Sequence, residues 1–227
     1  VSRDARETAI RRQLLAGNSP SFLRQLRTVT DTVVAGDGVS HSIAYEVMPD
    51  YLAIGSDDDY VRIPMSPHTA QAFGDAFGFV LPTRKMVNDI WAAADVHVEP
   101  RPLTQARESP ETFLQHHDII EGQLAGSPRG TFVAGIKKDV VVTNQLRERA
   151  NRVAIYGWHY LSGRPIQPRR SPPHTALPNE PTVTTRPCTP NGGGEGCPSS
   201  SKRATSLSRV DSSPRSWRSR SSTCRRR

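Results

Sequence analysis

The sequence predicts an α+β domain with a mainly antiparallel sheet and four to five helices, followed by a disordered C-terminal tail. Short strand patterns come in pairs around turn residues, so hairpins outnumber β-α-β alternations. Ser-Pro pairs precede three segments that can form helices, with serine as N-cap and proline at the first helical position. The composition changes abruptly near Pro168. We therefore predict one domain over residues 1–168, which at about 165 residues is long enough to bury a core.

Helices are predicted where apolar residues recur at helical spacing or where a start signal stands. The first ends at Gly17, and the fourth carries Met86, Val87, Ile90 and Trp91 on one stripe. The predicted helices cover residues 4–16, 19–26, 67–77, 83–94 and 110–125.

Strands are predicted on both sides of three turns. Residues 28–34 and 40–48 flank Gly36-Asp37-Gly38, and residues 51–55 and 60–65 flank Ser56-Asp57-Asp58-Asp59. A third hairpin is expected at 132–136 and 140–143, with Lys137, Lys138 and Asp139 in its exposed turn. Two further strands are predicted at 96–99 and 152–160, the second apolar on both faces like a central strand.

The tail, residues 169–227, lacks Ile, Phe, Tyr and Met and contains all three cysteines. Such a segment cannot bury enough surface to fold, so we expect disorder. Its Arg, Pro, Ser, Gly, Cys and Trp are also what GC-rich coding DNA gives when it is translated out of frame. Because strand 152–160 has the pattern of a central strand and the tail offers nothing expected to pair with it, we hypothesise a frameshift near Pro168. A natural disordered tail is the alternative.

The net charge of the chain also differs on the two sides of Pro168. The chain has a formal net charge of +8, but the tail alone holds twelve Lys and Arg against three acidic residues. Residues 1–168 hold 18 basic and 19 acidic residues, so the predicted domain is close to neutral. Nucleic acid is therefore expected to bind only non-specifically, through the tail. Other partners are unknown.

Cysteine and hydropathy patterns exclude some classes. Residues 1–168 contain no cysteine, which excludes disulfides and thiolate metal ligands there. No apolar run is long enough for a membrane span, and residues 1–17 do not have a signal-peptide pattern. A cytoplasmic protein and a mature secreted protein both stay open.

His159 is the first catalytic candidate, because it stands at the end of the last strand, where imidazoles often project from a rigid element. Asp58 is the candidate acidic partner of His159. The simpler interpretation is a histidine that hydrogen-bonds a backbone carbonyl. No GxSxG elbow accompanies it.

Ligand-binding candidates are Thr83, Arg84 and Lys85 at a helix start, where amides and cations could hold an anion, and Lys138. His116, His117 and Glu121 share a helix but lack a third ligand, so we expect His117 at the core edge and no metal. The acidic run 57–59 lacks the calcium-loop spacing. No phosphate-binding loop is present, and no cofactor is expected.

Four runs carry a family resemblance: MPDYLAIGSDDD at 48–59, LPTRKMV at 81–87, AGIKKDVV at 134–141 and YGWH at 156–159. They resemble a family of uncharacterised bacterial proteins. The similarity spans most of 1–168 and stops at Gln167-Pro168, after which members of that family continue with ordered, histidine-containing sequence. The resemblance implies a C-terminally truncated domain, and it implies no catalytic residues.

Two function classes follow. The first is a hydrolase- or transferase-like enzyme whose site forms where residues 83–85, Asp58 and His159 converge, inactive in this truncated chain. The second is a non-catalytic binding or scaffold domain for an anionic or peptide-like ligand. Non-specific binding of nucleic acid by the tail is a third possibility.

Overall fold

The computed structural model describes residues 2–148 and 152–166, and the backbone of two short strands at 174–175 and 188–190. It confirms the α+β class: four α-helices accompany short strands that pair mostly antiparallel. The α-helices are α1 (Arg3–Leu15), α2 (Pro67–Phe77), α3 (Arg84–Ala93) and α4 (Pro110–Gln123). The strands are β1 (Arg27–Val34), β2 (Ser40–Val47), β3 (Ala53–Gly55), β4 (Tyr60–Arg62), β5 (Val96–His97), β6 (Val133–Ala134), β7 (Lys138–Val141), β8 (Arg152–Gly157), β9 (His174–Thr175) and β10 (Cys188–Pro190).

Two of the three Ser-Pro signals begin α-helices as predicted. Ser66 Oγ accepts a hydrogen bond from the Thr69 N–H at 3.2 Å, and Ser109 Oγ accepts one from the Thr112 N–H at 3.1 Å. Each serine thus satisfies an N–H group that has no partner inside the first helical turn.

The third Ser-Pro signal, at Ser19, does not begin an α-helix. A 3₁₀-helix forms instead over Ser21–Arg24. The Ser19 hydroxyl donates to the Ala53 carbonyl at 2.8 Å, and Pro20, which has no side-chain acceptor, stands at the N-cap position. The carboxylate of Asp57 accepts from the first N–H groups of the 3₁₀-helix in its place. A long-range contact has therefore replaced the local one.

The first two predicted hairpins are confirmed. Strands β1 and β2 pair over their whole length, from Arg27 opposite Val47 to Val34 opposite Ser40. Strands β3 and β4 form the second hairpin. Both turns lie where the glycine and aspartate clusters predicted them.

The third predicted hairpin is wrong. Strand β6 pairs in parallel with β5, and β7 pairs with β8. Between β6 and β7 the chain crosses at Gly135, whose φ is +91° and whose Cα lies against the Val98 carbonyl. Lys137 and Asp139 are consequently buried, not exposed in a turn.

The strand predicted at 152–160 ends at Gly157 and does lie centrally, between β7 and β9. The expectation that nothing after Pro168 pairs with it is wrong for two residue pairs, which join β8 to β9. Strand ladders use backbone groups, so pairing needs no apolar side chain. Strand β10, also in the tail, pairs with β2. The other residues of the tail lie outside the described residues, where the frameshift and the disorder stay predictions.

The core consists of several apolar clusters with polar side chains between them. The largest cluster joins α1 and α2 to the β3–β4 hairpin, around Leu14, Leu52 and Phe73. A second packs α4 against β5 and β6 through Ile120 and Val133. Arg62 is buried as deeply as these apolar residues. This packing places α4 beside β4, where the candidate site forms.

We predict that Gly135→Ala lowers the free energy of unfolding by roughly 3 kcal/mol. The left-handed backbone disfavours any Cβ, and the added atom would lie 2.4 Å from the Val98 carbonyl oxygen. Chemical denaturation measures the loss. The matched control is Gly122→Ala, where a Cβ meets nothing within 4 Å inside α4. That variant is expected to gain up to about 1 kcal/mol. Equal stability of the two variants would contradict the crossing at Gly135.

Candidate functional site

The centre of the candidate site is the guanidinium of Arg62, which is 1% exposed. Its Nε and Nη2 donate to the carboxylate of Asp50 at 2.9 and 2.6 Å. Its Nη1 donates to Glu121 Oε1 at 2.6 Å and lies 3.2 Å from His117 Nδ1. Arginine can only donate, so His117 Nδ1 accepts and the ring is neutral. Each terminal nitrogen of Arg62 thus has a partner.

Strand and helix periods bring these groups together. Tyr60 and Arg62 are two apart in β4 and therefore share a face. His117 and Glu121 are four apart on α4 and lie one turn above the other. The Tyr60 hydroxyl donates to Glu121 Oε1 at 2.9 Å, and its ring meets His117 edge-on at 5.1 Å. His117 and Glu121 thus both contact the Arg62 guanidinium.

The pKa shifts keep this cluster charged over a wide pH range. Burial acts to lower the pKa of Arg62, but the nearby Asp50 charge outweighs it and the pKa rises. Burial acts to raise the pKa of Glu121, but the hydrogen bond from Arg62 outweighs it and the pKa falls. Burial raises the pKa of Tyr60 to about 12, so this hydroxyl stays a donor.

A cavity of about 50 Å³ opens beside the cluster. Asp50, Tyr60, Arg62 and Glu121 line one side, and the loop 127–131 lines the other. A volume of this size holds about three or four water molecules. Glu121 is 37% exposed along its side chain, and loop residue Arg129 is exposed, with its guanidinium 5.4 Å from the Tyr60 ring centroid. The cavity therefore has a fixed floor and a charged mouth.

Behind the cluster lies Lys137, which is 6% exposed. Burial lowers its pKa to about 7, with a further contribution from the positive charge of Arg62 that Asp50 opposes in part. Its ammonium group makes no hydrogen bond or ion pair to any of the described residues. The Tyr51 hydroxyl lies 3.1 Å from the Lys137 carbonyl oxygen and 3.2 Å from Asp139 Oδ2, which fixes this segment.

His159 is only 3% exposed and lies against α3. Its Nε2–H donates to Asn88 Oδ1 at 2.9 Å, and the Tyr156 hydroxyl donates to the same oxygen at 2.9 Å. Its ring stacks on Trp91 at 5.8 Å. Burial lowers the pKa of His159 to about 4, with His97 adding to the effect. The partner of His159 is thus an amide, and no carboxylate holds it among the described residues.

Asp58 lies elsewhere. It is exposed in the β3–β4 turn, next to the Asp57 that caps the 3₁₀-helix. No hydrogen bond or ion pair joins Asp58 to His159 within the part of the chain that the structure describes. The structure therefore does not bring this predicted catalytic pair together, and its catalytic role stays a prediction.

At the predicted anion site, at the start of α3, both cationic side chains already contact other groups of the protein. Thr83 is the N-cap, with the Met86 N–H 3.2 Å from its Oγ1. The guanidinium of Arg84 lies 4.9 Å from the Tyr156 ring centroid. Lys85 pairs with two carboxylates, Asp31 and Asp89. Both cations thus already have partners.

Lys138 also has a partner, because its ammonium lies 4.9 Å from the Trp158 ring centroid. Burial lowers the pKa of Lys138, and the charge of Arg107 adds to this effect. It lies in strand β7 and not in an exposed turn, which corrects the sequence prediction.

The sequence prediction missed six residues of this site. One signal bears on two of them: Tyr60 and Arg62 stand two apart in a predicted strand, so they share one of its faces. Asp50 and the buried Tyr51–Lys137 contact leave no local signal, because they depend on which strands pair. The missed residues are Asp50, Tyr51, Tyr60, Arg62, Arg129 and Lys137.

Comparison of the chain with protein-family models, with curated proteins and with solved structures gave no match. The bacterial family resemblance therefore stays a prediction. Within the described residues, no helix is both long and apolar enough to cross a membrane. No group of three potential metal ligands is found in the same part of the chain.

We predict that Arg62→Met lowers the free energy of unfolding by about 3–5 kcal/mol, because it leaves the buried Asp50 carboxylate without its counter-charge. Urea denaturation measures the change. The control is Lys85→Met, which breaks ion pairs of a half-exposed lysine and is expected to cost under about 1 kcal/mol. A loss at Arg62 as small as that at Lys85 would show that the ion pair does not organise the fold.

We predict that the free energy of unfolding falls as pH drops from about 6.5 to about 4. Folded His159 and His116 resist protonation, since burial lowers both pKa values to about 4, whereas the unfolded chain takes up protons below about 6.5. The slope is roughly 1.4 kcal/mol per pH unit for each histidine. Denaturant midpoints at pH 7 and pH 5 measure it. His159→Gln should flatten the slope, and His68→Gln, at an exposed position of α2, should not.

Proposed function

We propose that this domain binds a small zwitterionic ligand, either a free amino acid or a short peptide whose two termini are both free. The observation that carries the proposal is the cavity between Glu121 and Arg129, which offers one negative and one positive group above a fixed polar floor. This proposal belongs to the binding class that the sequence left open, and it does not require His159 or Asp58.

The negative side is Glu121. Its Oε1 is held by both Arg62 and Tyr60, so the carboxylate cannot rotate freely. Its Oε2 has no partner among the described residues and belongs to a side chain that is partly exposed at the cavity. A carboxylate whose pKa is lowered stays charged at neutral pH and can accept a hydrogen bond from an ammonium group.

The positive side is Arg129. Its guanidinium lies 5.4 Å from the Tyr60 ring centroid and makes no ion pair with the described residues. A guanidinium on an aromatic face keeps its edge free to donate two parallel hydrogen bonds to a carboxylate. Arg129 is therefore suited to a ligand's carboxylate at the mouth of the cavity.

Charge balance and size favour a zwitterion over a simple ion. Asp50 and Glu121 offset Arg62 and Arg129 in formal charge, so the cavity as a whole favours neither sign. Because Asp50 and Arg62 neutralise each other, the two groups left for a ligand are of opposite sign. The volume suits a molecule as small as glycine and is too small for a nucleotide.

The test is calorimetric titration with glycine and glycylglycine. We expect both to bind, and we expect glycinamide and acetate, which each lack one charge, to bind at least tenfold more weakly. Arg129→Gln should weaken glycine binding by about tenfold, since one charge-assisted contact is lost.

The matched control is Arg147→Gln, which changes an exposed arginine outside the cavity and should bind glycine as the unaltered chain does. Circular dichroism confirms that each variant folds. The proposal is overturned if glycine does not bind, or if glycinamide and acetate bind as tightly as glycine.

A further inference from the structure

An apolar wall of the ligand cavity lies next to the Glu121 carboxylate. Leu124 lines the cavity at the end of α4, and its backbone N–H donates to the carbonyls of Ile120 and Glu121. Leu124 and Glu121 are three residues apart in this last turn and therefore lie side by side on the helix. Phe22 and Val133 complete the wall. A ligand whose ammonium group binds Glu121 thus has the carbon that carries this group close to Leu124.

The surrounding packing fixes this wall in place. The buried ring of Phe22 meets the Tyr60 ring edge-on, with 5.2 Å between the ring centroids. A Cβ at Gly130 would lie 3.3 Å from the Phe22 Cβ, so the loop 127–131 packs directly on Phe22. Leu124 packs against the buried cluster that contains Val133. Because close-packed side chains yield little, the wall does not recede for a larger ligand.

The mouth of the cavity, which faces the ligand's carboxylate, is open. Pro128 and Arg129 line the cavity on this side and are both exposed. A side chain on the ligand residue that carries the carboxylate therefore extends into solvent. The cavity thus treats the two ends of a zwitterionic ligand differently.

We propose that Leu124 is a specificity-determining residue, which restricts the ligands to free glycine and to dipeptides that begin with glycine. This selectivity rests on the binding of zwitterions proposed above. A methyl group on the carbon next to the ammonium would meet Leu124 in a cavity of only about 50 Å³. An added methyl group in a close-packed site costs about tenfold in affinity or more. The same methyl group on the second residue of a dipeptide lies at the open mouth and costs little.

The test is calorimetric titration of the full chain with glycylglycine, glycylalanine and alanylglycine. The last two peptides are isomers of equal charge that differ only in which residue carries the methyl group. We expect glycylalanine to bind as glycylglycine does, and alanylglycine to bind at least about tenfold more weakly. This comparison uses the unaltered chain, so no variant has to fold.

Leu124→Ala removes the contact that we hold responsible. In this variant we expect alanylglycine to bind within about threefold of glycylalanine. The matched control is Leu114→Ala, which changes an exposed leucine of the same helix outside the cavity. The control variant should keep the preference for glycylalanine. Circular dichroism shows whether each variant folds.

The selectivity is overturned if the unaltered chain binds both isomers equally, or if a folded Leu124→Ala variant still rejects alanylglycine. In either case glycylglycine still binds, and the proposal of a zwitterion site stands. If neither glycine nor glycylglycine binds, the zwitterion site and its selectivity are overturned together. The three peptides thus separate a failure of the selectivity from a failure of the site.

Discussion

The ion pair between Arg62 and Asp50 is the constraint on which the rest of the structure depends. Removing both charges from water costs several kcal/mol for each ion. This cost is offset only where the two ions lie close together and hydrogen bonds satisfy their remaining donors and acceptors. That geometry needs the strand that carries Arg62, the loop that carries Asp50 and the helix that carries Glu121 to meet at one point. We therefore expect the pair to favour the one arrangement of these elements that brings its groups together.

The same pair sets the electrostatics around it. Burial lowers the pKa of both His117 and Lys137, and the fixed positive charge of Arg62 lowers them further. Both effects favour the neutral form of each side chain. Two different electrostatic environments follow from one charge. On the open side, the Glu121 carboxylate is fixed and ionised at a cavity. On the closed side, the amine of Lys137 loses its proton easily.

Local features of this fold could be predicted from the sequence, and long-range ones could not. The hairpin turns at 36–38 and 56–59 and the caps at Ser66 and Ser109 depend on residues within four positions of each other. The charged run at 137–139 looks like a turn by the same local logic. It is buried because β6 pairs in parallel with a distant strand, an arrangement without local signature. Lys137 was missed for this reason.

The backbone at Trp158 shows how the chain holds that buried run in place. Its φ of +58° is unfavourable for a large side chain and costs roughly 1–3 kcal/mol. Three contacts offset the strain: the indole Nε1–H donates to the Ile136 carbonyl at 2.6 Å, the backbone N–H donates to the Lys137 carbonyl, and Lys138 lies over the ring. All three act on the segment that carries Lys137. The strained turn after β8 therefore fixes the position of the buried amine, and it also turns His159 away from solvent and onto α3.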